Sequence, residues 1–187
     1  CAYDKLGNPL CNAIVWQDRR TSKFCADNAK AYSPLQDKTG LPLDPYFSAT
    51  KMRWMIENNN IVKEALENKN LCLSNIDGFL LYKLSGNQSF KTEPSNASRT
   101  LLMDLDTCQW DKDLCKFFNI PQFVLPEIQE SFGEFGVTKG LDFLPDGIRI
   151  TCMLGDQQAA LFGQAGHTEG ELKCTYGTGA FIVLNTG

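Results

Sequence analysis

In the run Gly155-Asp156-Gln157-Gln158-Ala159-Ala160-Leu161-Phe162-Gly163, an acid stands between an apolar segment, 148–154, and an Ala-rich segment with helical character. Gly155 permits a tight turn, so the carboxylate falls where a strand ends and a helix begins. In an α/β chain that is a usual address for a ligand-facing residue. The same acid is also a good helix cap, and the two roles are compatible. A second turn follows at Thr175-Tyr176-Gly177-Thr178-Gly179, between two apolar segments. Glycines there let backbone N–H groups approach a phosphate, and threonine hydroxyls can donate to it. A β-hairpin turn with glycine at positive φ explains the same residues. Together the two turns suggest an acceptor site beside a phosphate site, with Asp156 taking a proton and Gln157 holding a second hydroxyl.

Outward from these turns the chain alternates helix and strand signals, which favours an α/β fold. The pattern predicts helices over 22–31, 48–58, 61–68 and 76–84, with Ser48 capping the second of them. Ser74-Asn75-Ile76-Asp77 has the form of a capping box. A buried strand is expected at 13–16 and further strands at 100–105, 133–138, 148–154 and 181–184, with an extended segment at 123–128 and a polar loop at 93–98. Asp111 is expected to cap a further helix that Pro121 limits. Trp16 closes an apolar run, which reads as core. Tyr46 precedes a helix start, where it either staples the first turn or reaches a pocket. Pro94-Ser95-Asn96-Ala97-Ser98-Arg99 reads as a loop.

Composition excludes several classes. The 187 residues carry 18 Lys and Arg against 22 Asp and Glu, a formal net charge of −4, and no basic tract marks a nucleic-acid surface. No apolar run is long enough to span a bilayer. The eight cysteines form no CxxC pair and there is a single histidine, His167, so a zinc site is not expected. Cysteines set inside apolar segments read as free thiols of a reducing, cytoplasmic compartment, with four disulfides as the lesser alternative. The chain opens on Cys1 and ends on a strand signal, which reads as an internal piece of a longer protein.

Taken in order, Asn12-Ala13-Ile14-Val15-Trp16-Gln17-Asp18-Arg19-Arg20-Thr21, the segment 46–58, Ser95-Asn96-Ala97-Ser98-Arg99-Thr100-Leu101-Leu102, the Asp156 run, Thr175 to Gly179 and Leu184-Asn185-Thr186-Gly187 resemble the FGGY carbohydrate kinases, in particular their glycerol-phosphorylating branch. The resemblance covers nearly the whole chain in collinear order. It implies an actin-like, ribonuclease-H-like α/β fold, with 1–163 as the later part of the N-terminal domain and 164–187 as the start of the C-terminal one. It implies ATP-dependent phosphorylation of glycerol with ATP and Mg²⁺. Asp156 would be the catalytic base, Trp16, Tyr46, Asp156 and Gln157 would bind the polyol, and Thr178 would contact the nucleotide phosphates. It places no metal ligand in this segment and implies a homo-oligomer for the full-length protein. The family's phosphate loop and its glycerol-gripping Arg-Glu pair are not among these residues, so the 187-residue chain alone is expected not to catalyse the reaction. Two rivals are a related kinase for another polyol or sugar and a catalytically silent scaffold.

Overall fold

The computed structural model describes residues 1–187 and divides into two compact units, Cys1–Cys152 and Met153–Gly187. No helix is long and apolar enough to cross a membrane.

The first unit is organised on the strand Ala2–Asp4, which pairs antiparallel with Leu71–Leu73 in the register Ala2↔Leu73, Tyr3↔Cys72, Asp4↔Leu71. Helix Ser48–Asn58 packs one face inward through Ala49, Met52, Met55 and Ile56. Their three- and four-residue spacing is what a 3.6-residue turn requires. Asn59 ends this helix in an extended conformation and starts Asn60–Glu67, its side chain accepting from the N–H groups of Ile61 and Val62. Met52, Met55, Leu71, Leu73, Leu101, Leu102, Leu114 and Phe118 form the centre of the core, closed by Tyr32 from helix Ser22–Tyr32. Asp111 caps Lys112–Phe117 as expected, accepting from Asp113 and Leu114 N–H, and also receives Lys38 Nζ at 2.7 Å.

Several expectations fail for identifiable reasons. Residues 12–16 form no strand: no neighbour pairs with them, and Asn12, Ala13, Val15 and Trp16 are exposed. The preceding turn pairs with Ala2–Asp4 only through the bridge Tyr3↔Pro9, made by Asp4 N–H on Asn8 O and Leu10 N–H on Ala2 O, and beyond Leu10 no strand lies alongside. The capping box does not form at Ile76–Leu84. Its groups are spent on distant partners: Ser74 Oγ meets Tyr3 OH, Asn75 receives Ser48 Oγ at 2.6 Å and donates to Asn96 O, and Asp77 receives Thr92 Oγ1. Ser48 is accordingly not a cap; Phe47 holds that position without a side-chain bond. The loop over 93–98 is a short helix, Pro94–Ala97, followed by a 3-10 turn, Ser98–Thr100. Proline at the first helical position is preorganised for that turn. The strand expected over 100–105 shrinks to Met103–Asp104, because Leu101 turns the chain at φ 68°. The segment 123–128 divides between the 3-10 turn Gln122–Val124 and the short strand Glu127–Ile128. That strand pairs with Lys91–Thr92 in the one parallel pair; the other four two-stranded sheets are antiparallel.

All eight cysteines are free thiols. Burial pushes the Cys25, Cys72 and Cys115 thiols up to about 11, so at neutral pH they act as inert packing groups.

Asp77 is under electrostatic stress. Burial raises its pKa, Glu93 adds like charge, and one carboxylate oxygen, Oδ1, has no hydrogen-bond partner. A raised folded pKa contributes stability that is complete below the unfolded carboxyl value and is lost as pH rises through the folded value. Asp77→Asn keeps an acceptor for Thr92 and removes the charge. It should therefore be more stable than wild type at pH 7 by about 1 kcal/mol, with the gain shrinking at pH 4. Urea midpoints at both pH values measure this, and an equal difference at each would refute the charge argument.

Candidate functional site

In the first unit the side chains of interest gather around Tyr46. Asp44 Oδ1 accepts the Tyr46 N–H at 2.7 Å, and the Phe47 N–H returns to Asp44 O, which folds an Asx turn before helix Ser48–Asn58. Lys51 then locks the turn from inside. It is 4% exposed, and its ammonium donates to the carbonyls of Pro45 and Tyr46. Burial pushes the Lys51 pKa down, while Asp18 and Asp44 pull it back up. Lys51 occupies the helix position where a hydrophobic staple would place an apolar side chain, so the entry of the chain is fixed by charge-assisted hydrogen bonds instead.

Tyr46 packs edge-on against Phe47, with centroids 5.1 Å apart, and against Trp16, at 5.5 Å. Trp16 is 45% exposed, so the expectation of a core tryptophan is corrected: it is a half-open aromatic wall held by ring contact rather than by a sheet. The segment after it is braced by Asp18, which takes two contacts from Arg20 Nε, at 2.9 and 3.0 Å, and one from Nη2 at 2.8 Å. Arg20 holds the Asp18 carboxyl down at about 2 and stacks over Trp54 at 4.5 Å. Arg99 approaches the same cluster from Ser98–Thr100, its Cζ 5.9 Å from the Phe47 ring centre.

The second unit places the other candidates. Helix Asp156–Gly163 starts directly after Gly155, in extended conformation, and Asp156 is its first residue. Its exposed carboxylate accepts the Gln157 N–H at 2.8 Å and Gln157 Nε2 at 3.2 Å. The acid therefore bonds within the first turn and still faces solvent, while the cap position expected of it is held by Gly155 without a side-chain bond. Gln157 Oε1 receives Lys173 Nζ, which also donates to Thr175 Oγ1 at 2.6 Å. Lys173 is 2% exposed and ties the helix start to the hairpin. Sequence reasoning missed it, because a lysine alternating with Leu172 and Cys174 reads as the solvent face of a strand, whereas Lys173 is buried and Leu172 and Cys174 are exposed.

Leu172–Tyr176 and Ala180–Leu184 form the expected antiparallel hairpin, with Thr178 exposed in its turn. The positive φ expected for its glycines is not found at Gly177 or Gly179. Gly179 is required for another reason: a Cβ there would lie 2.8 Å from the Phe181 ring. The structure thus joins Trp16 to Tyr46 in one unit and Asp156 to Gln157 in the other. No group of three His, Cys, Asp or Glu side chains is arranged to hold a metal ion.

Residues 1–163 match the FGGY family of carbohydrate kinases, N-terminal domain. The chain belongs to this FGGY family. It is 53% identical over 186 residues to a glycerol kinase of Bdellovibrio bacteriovorus, covering 98% of this chain and 37% of that protein. It is 49% identical over 183 residues to a glycerol kinase of Myxococcus xanthus, covering 97% of this chain and 37% of the relative. Among solved structures it is similar to Plasmodium falciparum glycerol kinase with ADP. The TM-score is 0.91 at 43% identity, over 98% of this chain and 37% of that one. A xylulose kinase from Lactobacillus acidophilus shares the fold at TM-score 0.73 and 20% identity, over 92% of this chain and 35% of its own. The chain thus spans a little over a third of the length of these relatives. Its mixed α/β architecture is part of the actin-like N-terminal domain of an FGGY kinase.

Proposed function

We propose that this chain is part of an ATP-dependent kinase that phosphorylates glycerol to glycerol 3-phosphate. The observation that carries the reading is Asp156: an exposed carboxylate at a strand-to-helix turn, oriented by Gln157, with no cation paired to it. Relatives at 53% and 49% identity named glycerol kinase support the substrate, and a related structure with ADP supports nucleotide use.

In this reading Asp156 accepts the proton of the terminal hydroxyl as that oxygen attacks the γ-phosphorus of ATP, and ADP leaves with the electrons of the broken P–O bond. Gln157, held by Lys173, hydrogen-bonds a second hydroxyl. Trp16 packs on the carbon chain and Tyr46 donates to a hydroxyl. Thr178 donates to a nucleotide phosphate. Mg²⁺ bound to the nucleotide would neutralise charge on the phosphates. We assign 1–163 to the N-terminal kinase domain and 164–187 to the start of the C-terminal one, a division that the family match over 1–163 supports. Free thiols throughout support a cytoplasmic protein; we take its assembled form to be a homo-oligomer.

The test is a coupled ADP-release assay on the full-length protein with glycerol, xylulose and gluconate as acceptors. Glycerol should give the highest kcat/KM; a higher value for xylulose or gluconate would move the assignment to another FGGY kinase. No turnover with any acceptor would leave the scaffold reading. Tyr46→Phe removes one hydroxyl while keeping the ring contacts to Trp16 and Phe47. It should raise KM for glycerol about two- to tenfold with kcat nearly unchanged. An unchanged KM would remove Tyr46 from the polyol site.

A further inference from the structure

Arg99 is a cation without an anion. Of the two arginines that are not exposed, Arg53 pairs with Glu57 at 2.7 Å, whereas Arg99 forms no ion pair. Its one hydrogen bond within the protein runs from Nε to Ser98 Oγ at 3.2 Å, which leaves both terminal nitrogens of the guanidinium uncommitted. Burial lowers its pKa, and the Tyr46 phenol is the group that opposes the shift. Removing a guanidinium from water without a carboxylate partner is unfavourable, so the position calls for an anionic ligand.

The backbone that carries Arg99 is fixed on every side. Ser95 and Asn96 are bonded to the buried Glu93 carboxylate, Asn96 O receives Asn75 Nδ2 at 3.1 Å, and Thr100 Oγ1 closes on Ala97 O at 2.6 Å. The side chain then lies over Phe47, whose ring meets Tyr46, and Tyr46 in turn meets the half-open Trp16. An aromatic wall beside a preset, unpaired guanidinium fits a ligand with a short carbon chain, hydroxyls and a phosphate.

We propose that Arg99 receives the phosphate of a phosphorylated polyol at the Trp16–Tyr46 site and so distinguishes product from substrate. The proposal rests on the polyol-kinase reading above, and it concerns the charged product rather than the neutral acceptor. Neither rings nor phenol can supply that discrimination, because they contact both molecules alike.

Calorimetric titration of the full-length protein with glycerol, glycerol 3-phosphate, xylulose 5-phosphate and 6-phosphogluconate tests it. Arg99→Met keeps the stem against Phe47 and removes the charge; Arg99→Lys keeps a charge without the fork. In Arg99→Met, glycerol 3-phosphate should bind about tenfold more weakly or worse, with glycerol affinity within twofold and Arg99→Lys in between. Equal weakening of glycerol and its phosphate, or a lowered unfolding midpoint alone, would make Arg99 a structural residue and overturn the proposal. Binding of glycerol but of no phosphate monoester would overturn it as well. Arg99-dependent binding of xylulose 5-phosphate or 6-phosphogluconate, without binding of glycerol or its phosphate, would uphold Arg99 and sink the glycerol assignment instead.

Discussion

Asp156→Asn in the full-length protein should lower kcat for glycerol phosphorylation about a thousandfold while leaving the fold intact. General-base removal typically forfeits 10²–10⁴-fold, and the amide is close in shape to the carboxylate. The substituted amide retains an oxygen for the Gln157 N–H, now 2.8 Å from the carboxylate, so the first turn of Asp156–Gly163 survives. What changes is basicity. The new amide nitrogen would also face Gln157 Nε2, and Gln157 cannot simply flip its amide because its oxygen is engaged by Lys173. Asp156 is exposed, so water relieves that clash at small cost. The expected signature is therefore a large fall in kcat, a KM within a few-fold and an unchanged thermal midpoint. Turnover within threefold of wild type would remove Asp156 as the base. A fall in midpoint of several degrees would show that the carboxylate was acting as a cap.

How far such residues could be read from the chain depended on whether their partners were local. Helix Ser48–Asn58 was legible because Ala49, Met52, Met55 and Ile56 repeat with the period of the helix. The turn at Gly155 was legible because a strand ending at Cys152, a glycine and a helix start at Asp156 follow one another within a few residues. The Trp16–Tyr46 contact was not, since it joins residues on either side of an intervening helix and neither flank encodes the other. Residues 12–16 were misread because an apolar run signals burial without saying what it pairs with. The capping box failed for the same reason: Ser74, Asn75 and Asp77 carry the right atoms, but Tyr3, Ser48, Asn96 and Thr92 compete for them from afar. Buried lysines were the least legible. Lys51 and Lys173 look like solvent-facing charges; Lys51 is satisfied by the carbonyls of the turn just before it, Pro45 and Tyr46, and Lys173 by Thr175 beside it and Gln157 from the preceding helix, partners that no side-chain pattern in the sequence announces.

Glu93 is the extreme case of this competition, and its removal should have the largest effect on stability. Glu93 is fully buried and makes no ion pair. Five donors replace the missing cation: Ser95 N–H at 2.9 Å, Ser95 Oγ at 2.6 Å, Asn96 N–H and Asn96 Nδ2 at 2.7 Å, and Ser131 Oγ at 2.6 Å. Two of these are backbone groups at the start of Pro94–Ala97, so the carboxylate is both the cap of that turn and the clamp that joins it to Ser131. Glu93→Ala deletes every acceptor at once and removes five charge-assisted hydrogen bonds from half-buried donors. The loss should be about 4 kcal/mol in the urea unfolding of the chain, because each hydrogen bond to a charged group is worth about 1.5–3 kcal/mol and water entering at the half-buried donors recovers much of the total. Glu93→Gln keeps one oxygen but turns an NH₂ toward donors, so it should fall between the two, about 2 kcal/mol below wild type. A loss under about 1 kcal/mol in Glu93→Ala would mean that the pocket rehydrates or collapses without strain. The ordering matters as much as the size. If Glu93→Gln were as damaging as Glu93→Ala, the negative charge, rather than the geometry of its five donors, would be what holds the Arg99 segment in place.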